Sequence, residues 1–322
     1  MQPIVLLFPG QGSQKPGMAH DLAEAFAPAR ATLDAVDAAL ETPLARLMFD
    51  GPADALTLTH NAQPALLAHG AALWAVLTDA LGDVLGRSVV AAAGHSLGEF
   101  TAHHAAGAMD APTAARLVRR RGTLMHEAGV ARPGAMAALL GEADRPVEAI
   151  CAAASADGGL VVPANYNAPG QVVISGEVAA VERAMARAKE AGIRRAVRLP
   201  VSGAFHSPLM APAQAGLEAA LADAALSDPR FPVYANVTAE PVTDAGVATA
   251  LLARQLTAPV RWTEVVQALA ARHPDALFVE LGPGSVLAGL VRKIAPAVQV
   301  TSAGGAAEVE ALLARLDVAH AG

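Results

Sequence analysis

The sequence predicts an α/β protein, and three observations carry that prediction. Short apolar, β-rich runs alternate with longer Ala/Leu/Arg stretches of helical period, the pattern of a largely parallel sheet covered by helices. The run Ile4-Val-Leu-Leu-Phe8 reads as a first buried strand. Residues Gly94-His95-Ser96-Leu97-Gly98 follow the apolar run 88–93 directly and precede a helical stretch, the setting of a G-x-S-x-G nucleophile elbow.

The elements follow in order along the chain. Strands are expected at 4–8, 89–93, 233–237, 277–280 and 298–301. Helices are expected at 19–39, 64–81, 97–109, 111–127, 211–224, 263–271 and 286–294, with short helical turns on a loop at 43–60. Residues 134–201 have a different rhythm. A strand at 135–140 precedes an amphipathic helix at 145–156. Strands at 160–164 and 171–175 are joined by Asn165-Tyr-Asn-Ala-Pro-Gly170, and a helix at 178–191 leads to a strand at 193–199. That β-α-β-β-α-β order is a ferredoxin-like unit. The expected architecture is thus an α/β-hydrolase-like large domain, residues 1–133 and 202–322, with an inserted ferredoxin-like subdomain at 134–201. A ligand would sit in the cleft between the two.

Composition narrows the function. The chain has 322 residues and is 53% hydrophobic, enough for an ample core. Aromatics make up only 3%, which argues against an aromatic platform for nucleic acid or sugar. The net charge of −7 disfavours general attraction to nucleic acid or to an anionic membrane. No uninterrupted apolar run reaches the ~20 residues of a membrane span. The first residues lack a basic n-region, so a signal peptide is not expected and a cytoplasmic location is. A lone cysteine, Cys151, cannot form an internal disulfide. No His/carboxylate spacing suits a metal, so neither metal nor cofactor is expected. A monomer is expected.

The elbow supplies the chemistry. Glycines two before and two after Ser96 remove Cβ atoms that would clash in the turn, and the following helix N-terminus offers N–H groups to an oxyanion. A serine nucleophile needs a base. His206, in Gly203-Ala-Phe-His206 at the domain seam, is the best placed of ten histidines. His95 adjoins the serine across a sharp turn and reads as a packed imidazole, and His103 and His104 as ordinary helix positions. The Gly-rich loop Phe8-Pro-Gly-Gln-Gly-Ser-Gln14 has no dinucleotide or Walker pattern, so its better use is as the second side of an oxyanion hole. In Arg119-Arg-Arg121, the first two read as solvated, whereas Arg121 lies beside an apolar face.

Seven blocks then resemble one family. Phe8-Pro-Gly-Gln-Gly-Ser-Gln14, Gly94-His-Ser-Leu-Gly-Glu-Phe100, Arg121-Gly-Thr-Leu-Met125, Asn165-Tyr-Asn-Ala-Pro-Gly-Gln171, Gly203-Ala-Phe-His206, Gln255-Leu-Thr-Ala-Pro-Val-Arg-Trp262 and Glu280-Leu-Gly-Pro-Gly284 occur in the order of malonyl-CoA:acyl-carrier-protein transacylases and span nearly the whole chain. The resemblance implies transfer of malonate from malonyl-CoA to the phosphopantetheine thiol of acyl carrier protein, in the service of fatty-acid synthesis. It implies Ser96 as nucleophile and His206 as base, with the N–H groups of Gln11 and Leu97 as oxyanion hole. Arg121 would hold the malonyl carboxylate and Met125 would line the same pocket. The main-chain carbonyl of Gln255 would orient His206 in place of a triad carboxylate. Asn165 and Phe205 would shape the acyl pocket, Phe205 by crowding an α-methyl branch. Phe100 departs from the family's frequent tyrosine, which removes a hydroxyl. Arg183, Arg187, Lys189, Arg194, Arg195 and Arg198 form a cationic run that suits an acidic carrier protein or, equally, a solvated face. The alternatives are a stand-alone acyltransferase of a polyketide or malonate-decarboxylase system, and a serine hydrolase or thioesterase.

Overall fold

A computed structural model describes residues 2–201 and 203–318. The expected boundary at residue 202 therefore falls outside the described residues. Ten strands form two sheets: β1 (Ile4–Phe8), β2 (Val89–Gly94), β3 (Gly134–Leu140), β4 (Val161–Ala168), β5 (Gln171–Glu177), β6 (Arg195–Arg198), β7 (Val233–Tyr234), β8 (Pro241–Val242), β9 (Leu277–Leu281) and β10 (Gln299–Ala303). The larger sheet runs β10-β9-β1-β2-β7-β8, parallel except for the edge strand β8. The smaller runs β4-β5-β3-β6 and is antiparallel throughout. The protein is therefore a mixed α/β fold with one mostly parallel and one antiparallel sheet.

The central strand explains its own sequence. Side chains alternate along β1, so Ile4, Leu6 and Phe8 enter one core while Val5 and Leu7 enter the other. Helices cover both faces, so every position must be apolar. The helical segment Thr59–Ser88, broken at Gly82 where φ is +51°, lies at the centre of the larger core. It is long and apolar enough to cross a membrane, yet 67% of its most apolar window is buried within the fold. In the smaller unit, Ala135, Ala137 and Leu139 of β3 pack with Cys151, Ile174 and Ala184 in a separate core.

Several boundaries differ from expectation. The helix expected at 19–39 is two, His20–Ala25 and Ala27–Leu40: Phe26 is extended between them, and Pro28, which has no N–H to give to a continuing helix, sits in the first turn of the second. The strand expected at 233–237 stops at Tyr234, since Asn236 turns inward to the site. The hairpin of the smaller unit is tighter than its sequence suggests. Asn165 belongs to β4, beyond a shift in register at Pro163, and Pro169-Gly170 alone make the turn. The helix Ala245–Arg254 and the C-terminal helix Ala306–Val318 were not anticipated.

Candidate active site

The site is built at the C-terminal end of β2. Register pairs Phe8 with Gly94, so β1 and β2 end side by side and their loops meet. A Cβ on Gly94 would lie 1.9 Å from Gly98 C and O, and a Cβ on Gly98 would lie 2.0 Å from Phe8 O. Only glycine fits at either position. Between them Ser96 sits at φ +52°, in the left-handed region that most side chains avoid. The helix Gly98–Ala105 starts two residues on.

Ser96 Oγ lies 2.7 Å from His206 Nε2, and His206 Nδ1 lies 2.9 Å from the main-chain O of Gln255. A carbonyl only accepts, so Nδ1 carries the proton and Nε2 is left to accept from the serine hydroxyl. Burial, joined by the charge of Arg121, lowers the His206 pKa to about 3. The imidazole is therefore neutral across the physiological range and able to accept a proton.

Arg121 comes from the helix Ala111–Ala131, whose N-terminus is capped by Asp110 accepting from Thr113 N at 2.7 Å. It is 1% exposed and stands over the Phe100 ring at 5.6 Å. Nη1 donates to Gln63 Oε1 at 2.7 Å; Nη2 donates to Gln255 Oε1 at 2.8 Å and to Ser96 Oγ at 3.1 Å. Desolvation lowers its pKa to about 10, which leaves it charged at neutral pH. Arg119 departs from the solvated role expected for it: Nη1 donates to His60 O at 2.6 Å and Asn61 Oδ1 at 2.5 Å, tying the helix to the start of Thr59–Ser88.

A cavity of about 450 Å³ opens over these groups, and Gln11, Leu97, Met125, Asn165 and Phe205 all line it with Ser96, Arg121 and His206. Its far wall comes from Met136 and Leu199 of the smaller unit, so the cavity lies where the two sheets' structures meet. Gln11 Nε2 donates to Thr59 Oγ1 at 3.3 Å, and Met125 Sδ accepts from Gln63 Nε2 at 3.3 Å. His95, half-buried, packs on Trp262 and shares a hydrogen bond with Asn167 at 2.8 Å. Among the described residues no group of His, Cys, Asp and Glu converges as a metal site.

A serine paired with a neutral imidazole beside a buried guanidinium is equipment for acyl transfer. The family model of the acyl transferase domain matches residues 5–313. The chain belongs to the acyl transferase family. It is 44% identical to the malonyl CoA-acyl carrier protein transacylase of Bacillus subtilis over 294 residues, 91% of each chain. The crystal structure of acyl-carrier-protein-S-malonyltransferase from Bartonella henselae superposes with a TM-score of 0.92 at 43% identity, covering 98% of this chain and 99% of that one. A type II PKS acyl-carrier protein in complex with its malonyl-transacylase gives a TM-score of 0.91 at 39% identity, covering 97% and 99%.

Behind the cavity this acyl transferase holds polar residues that sequence reasoning missed. Asn236 Oδ1 accepts from Ser96 N at 2.6 Å, and its Nδ2 donates to Gly94 O at 2.7 Å, so one amide clamps both sides of the elbow. Gln63 and Glu99 are buried with it, beside Gln255, whose main-chain oxygen is the expected partner of His206. A polar residue inside an apolar run, such as Asn236 after Val233-Tyr-Ala235, was the available signal, because such a side chain must find partners. The cationic run of the smaller unit is partly engaged within the fold. Arg187 pairs with Asp157 at 2.5 Å, Arg198 pairs with Glu182 at 3.2 Å, and Arg183 donates to the Ala154 and Gly158 carbonyls. Lys189, Arg194 and Arg195 are exposed.

Proposed function

We propose that this acyl transferase moves a malonyl group from malonyl-CoA to the phosphopantetheine thiol of an acyl carrier protein, through a malonyl ester on Ser96, to supply fatty-acid synthesis. Ser96 Oγ attacks the thioester carbonyl as its proton passes to His206 Nε2. The N–H groups of Gln11 and Leu97 receive the negative charge that develops on the carbonyl oxygen, a contribution of about 2.7–4 kcal/mol per donor. The C–S bond breaks, His206 returns its proton to the coenzyme A sulfur, and the ester remains. The carrier thiol then gives its proton to His206 and attacks the ester carbonyl; the C–Oγ bond breaks and His206 returns the proton to Ser96 Oγ. Gln255 O holds the imidazole in the required tautomer throughout, with no carboxylate in a triad.

The observation that carries the reading is Arg121, a buried cation 3.1 Å from the nucleophile. An apolar acyl chain has no use for it, whereas a terminal carboxylate can take both ends of its fork. Met125, Asn165 and Phe205 would shape the space beside it. No resident cofactor has a role in this scheme, and the setting would be the cytoplasm, the enzyme acting as a monomer. We read residues 134–201 as a ferredoxin-like insert in an α/β-hydrolase-like domain, which the strand order β4-β5-β3-β6 supports. Lys189, Arg194 and Arg195 are the cations best suited to meet an acidic carrier helix.

Intact-protein mass spectrometry after brief exposure to malonyl-CoA tests the scheme. A malonyl adduct should form, be absent from Ser96→Ala, and pass to added holo carrier protein. Free malonate released without transfer would make the protein a hydrolase. Parallel trials with fatty-acid and type II polyketide carriers would separate those two services, the second raised by the similarity to a malonyl-transacylase in complex with its type II PKS acyl-carrier protein.

A further inference from the structure

The residue after the elbow's second glycine, Glu99, is fully buried and outside the reaction described above. Its Oε2 accepts from Gln255 Nε2 at 2.6 Å and from Asn236 N at 3.1 Å. Those two partners touch Ser96, His206 and Arg121. Gln255 meets Arg121 through Oε1, His206 through its main-chain O, and the main-chain O of Ser96 through Nε2 at 3.0 Å. Asn236 meets Ser96 N through Oδ1. The amide of Gln255 can be oriented in only one way, since its oxygen faces guanidinium donors and its nitrogen faces two acceptors. It therefore bridges a buried cation and a buried carboxylate.

We propose that Glu99 is a positioning residue whose carboxylate, acting through Gln255 and the Asn236 backbone, holds Ser96, His206 and Arg121 in one register. The inference rests on the roles proposed above for those three residues. A site used only for packing would have no reason to bury a carboxyl there. Desolvation raises the Glu99 pKa to about 7, against the opposing pull of the Gln255 and Asn236 donors and of Arg121. Its Oε1 finds no partner among the described residues. A buried carboxyl with one oxygen unpaired is costly, and it is kept where its paired oxygen organises three other groups.

Glu99→Gln keeps the shape and removes the charge. A misplacement of catalytic groups by about 1 Å can lower rates about 100-fold. We expect a loss of about 10- to 100-fold in malonyl transfer per folded enzyme, with KM for malonyl-CoA raised as Arg121 loosens. Labelling of Ser96 by a fluorophosphonate should slow as well, because the dyad is disturbed without malonyl-CoA being involved. Gln255→Met cuts the amide bridge but keeps the main-chain carbonyl on His206, so KM should rise with a smaller loss of kcat. The double variant should lose no more than the worse single one, as residues acting as a unit do. Parental KM and labelling rate in Glu99→Gln, or fully additive losses, would overturn the proposal. If the parent is labelled but transfers no malonate, the functional reading fails while the labelling rates still decide the role of Glu99.

Discussion

Replacing Arg121 with alanine should separate two acyl groups that differ by one carboxylate. Malonyl-CoA would lose two charge-assisted hydrogen bonds, each worth about 1.5–3 kcal/mol, or about 3–6 kcal/mol together. At about 1.4 kcal/mol per decade, kcat/KM for malonyl-CoA should fall about 10²- to 10⁴-fold. Acetyl-CoA has no carboxylate to lose, and the Ser96-His206 contact does not pass through Arg121. Its kcat/KM should hold or rise, because Nη2 would no longer draw on the Ser96 oxygen. The substitution also strips donors from Gln63 and Gln255 and leaves Glu99 without its nearest buried cation, so some stability will be lost. Rates must therefore be counted per active site, by burst titration of acyl-enzyme. Arg121→Lys should recover little, since a point charge cannot copy the fork. Equal losses on malonyl-CoA and acetyl-CoA would reduce Arg121 to a structural cation with no part in choosing the acyl group.

Three further outcomes follow from the geometry. Burial lowers His69 and His103 to about 4 and His206 to about 3, so between pH 6.5 and 4 the unfolded chain binds more protons than the folded one. Stability should then fall as pH falls, by about 3 kcal/mol for each of these groups at most, while Glu99, raised to about 7, opposes with one group of similar size between pH 7 and 4.5. Urea midpoints measured from pH 7 to 4.5 should decline; a flat or rising series would show that the histidines do not govern acid stability. Gly98→Ala places a methyl 2.0 Å from Phe8 O and should abolish fluorophosphonate labelling of Ser96, which retained labelling would contradict. Reversing Lys189 and Arg194 to glutamate should raise KM for carrier protein and leave self-acylation by malonyl-CoA intact, whereas an unchanged KM would remove that surface from consideration.

Much of the molecule was legible in the chain. The apolar runs of β1, β2 and β9 mark strands buried on both faces, and Gly94 and Gly98 mark a turn where no Cβ fits. Arg121 could be told from its neighbours because Gly122, Leu124 and Met125 place it beside an apolar face, and all three are buried in the helix. Arg119 could not, because its partners, His60 O and Asn61, lie 59 and 58 residues away in sequence. Asn165 reads in sequence as part of a turn. The sequence Asn165-Tyr-Asn-Ala-Pro-Gly170 suits a loop, and only pairing with β5 draws it into a strand.

The periodic elements, the elbow and the residue types at its centre are written locally in the chain, because strand burial and a tight turn impose rules on neighbouring positions. The tertiary structure decided which groups meet. Ser96 reaches His206 across 110 residues and Asn236 across 140, and Glu99 reaches Gln255 across 156. No local periodicity encodes such separations. They arise because β1, β2 and β7 lie side by side and the cavity forms against the smaller sheet's unit, which brings distant polar side chains into one buried network where each must find a partner.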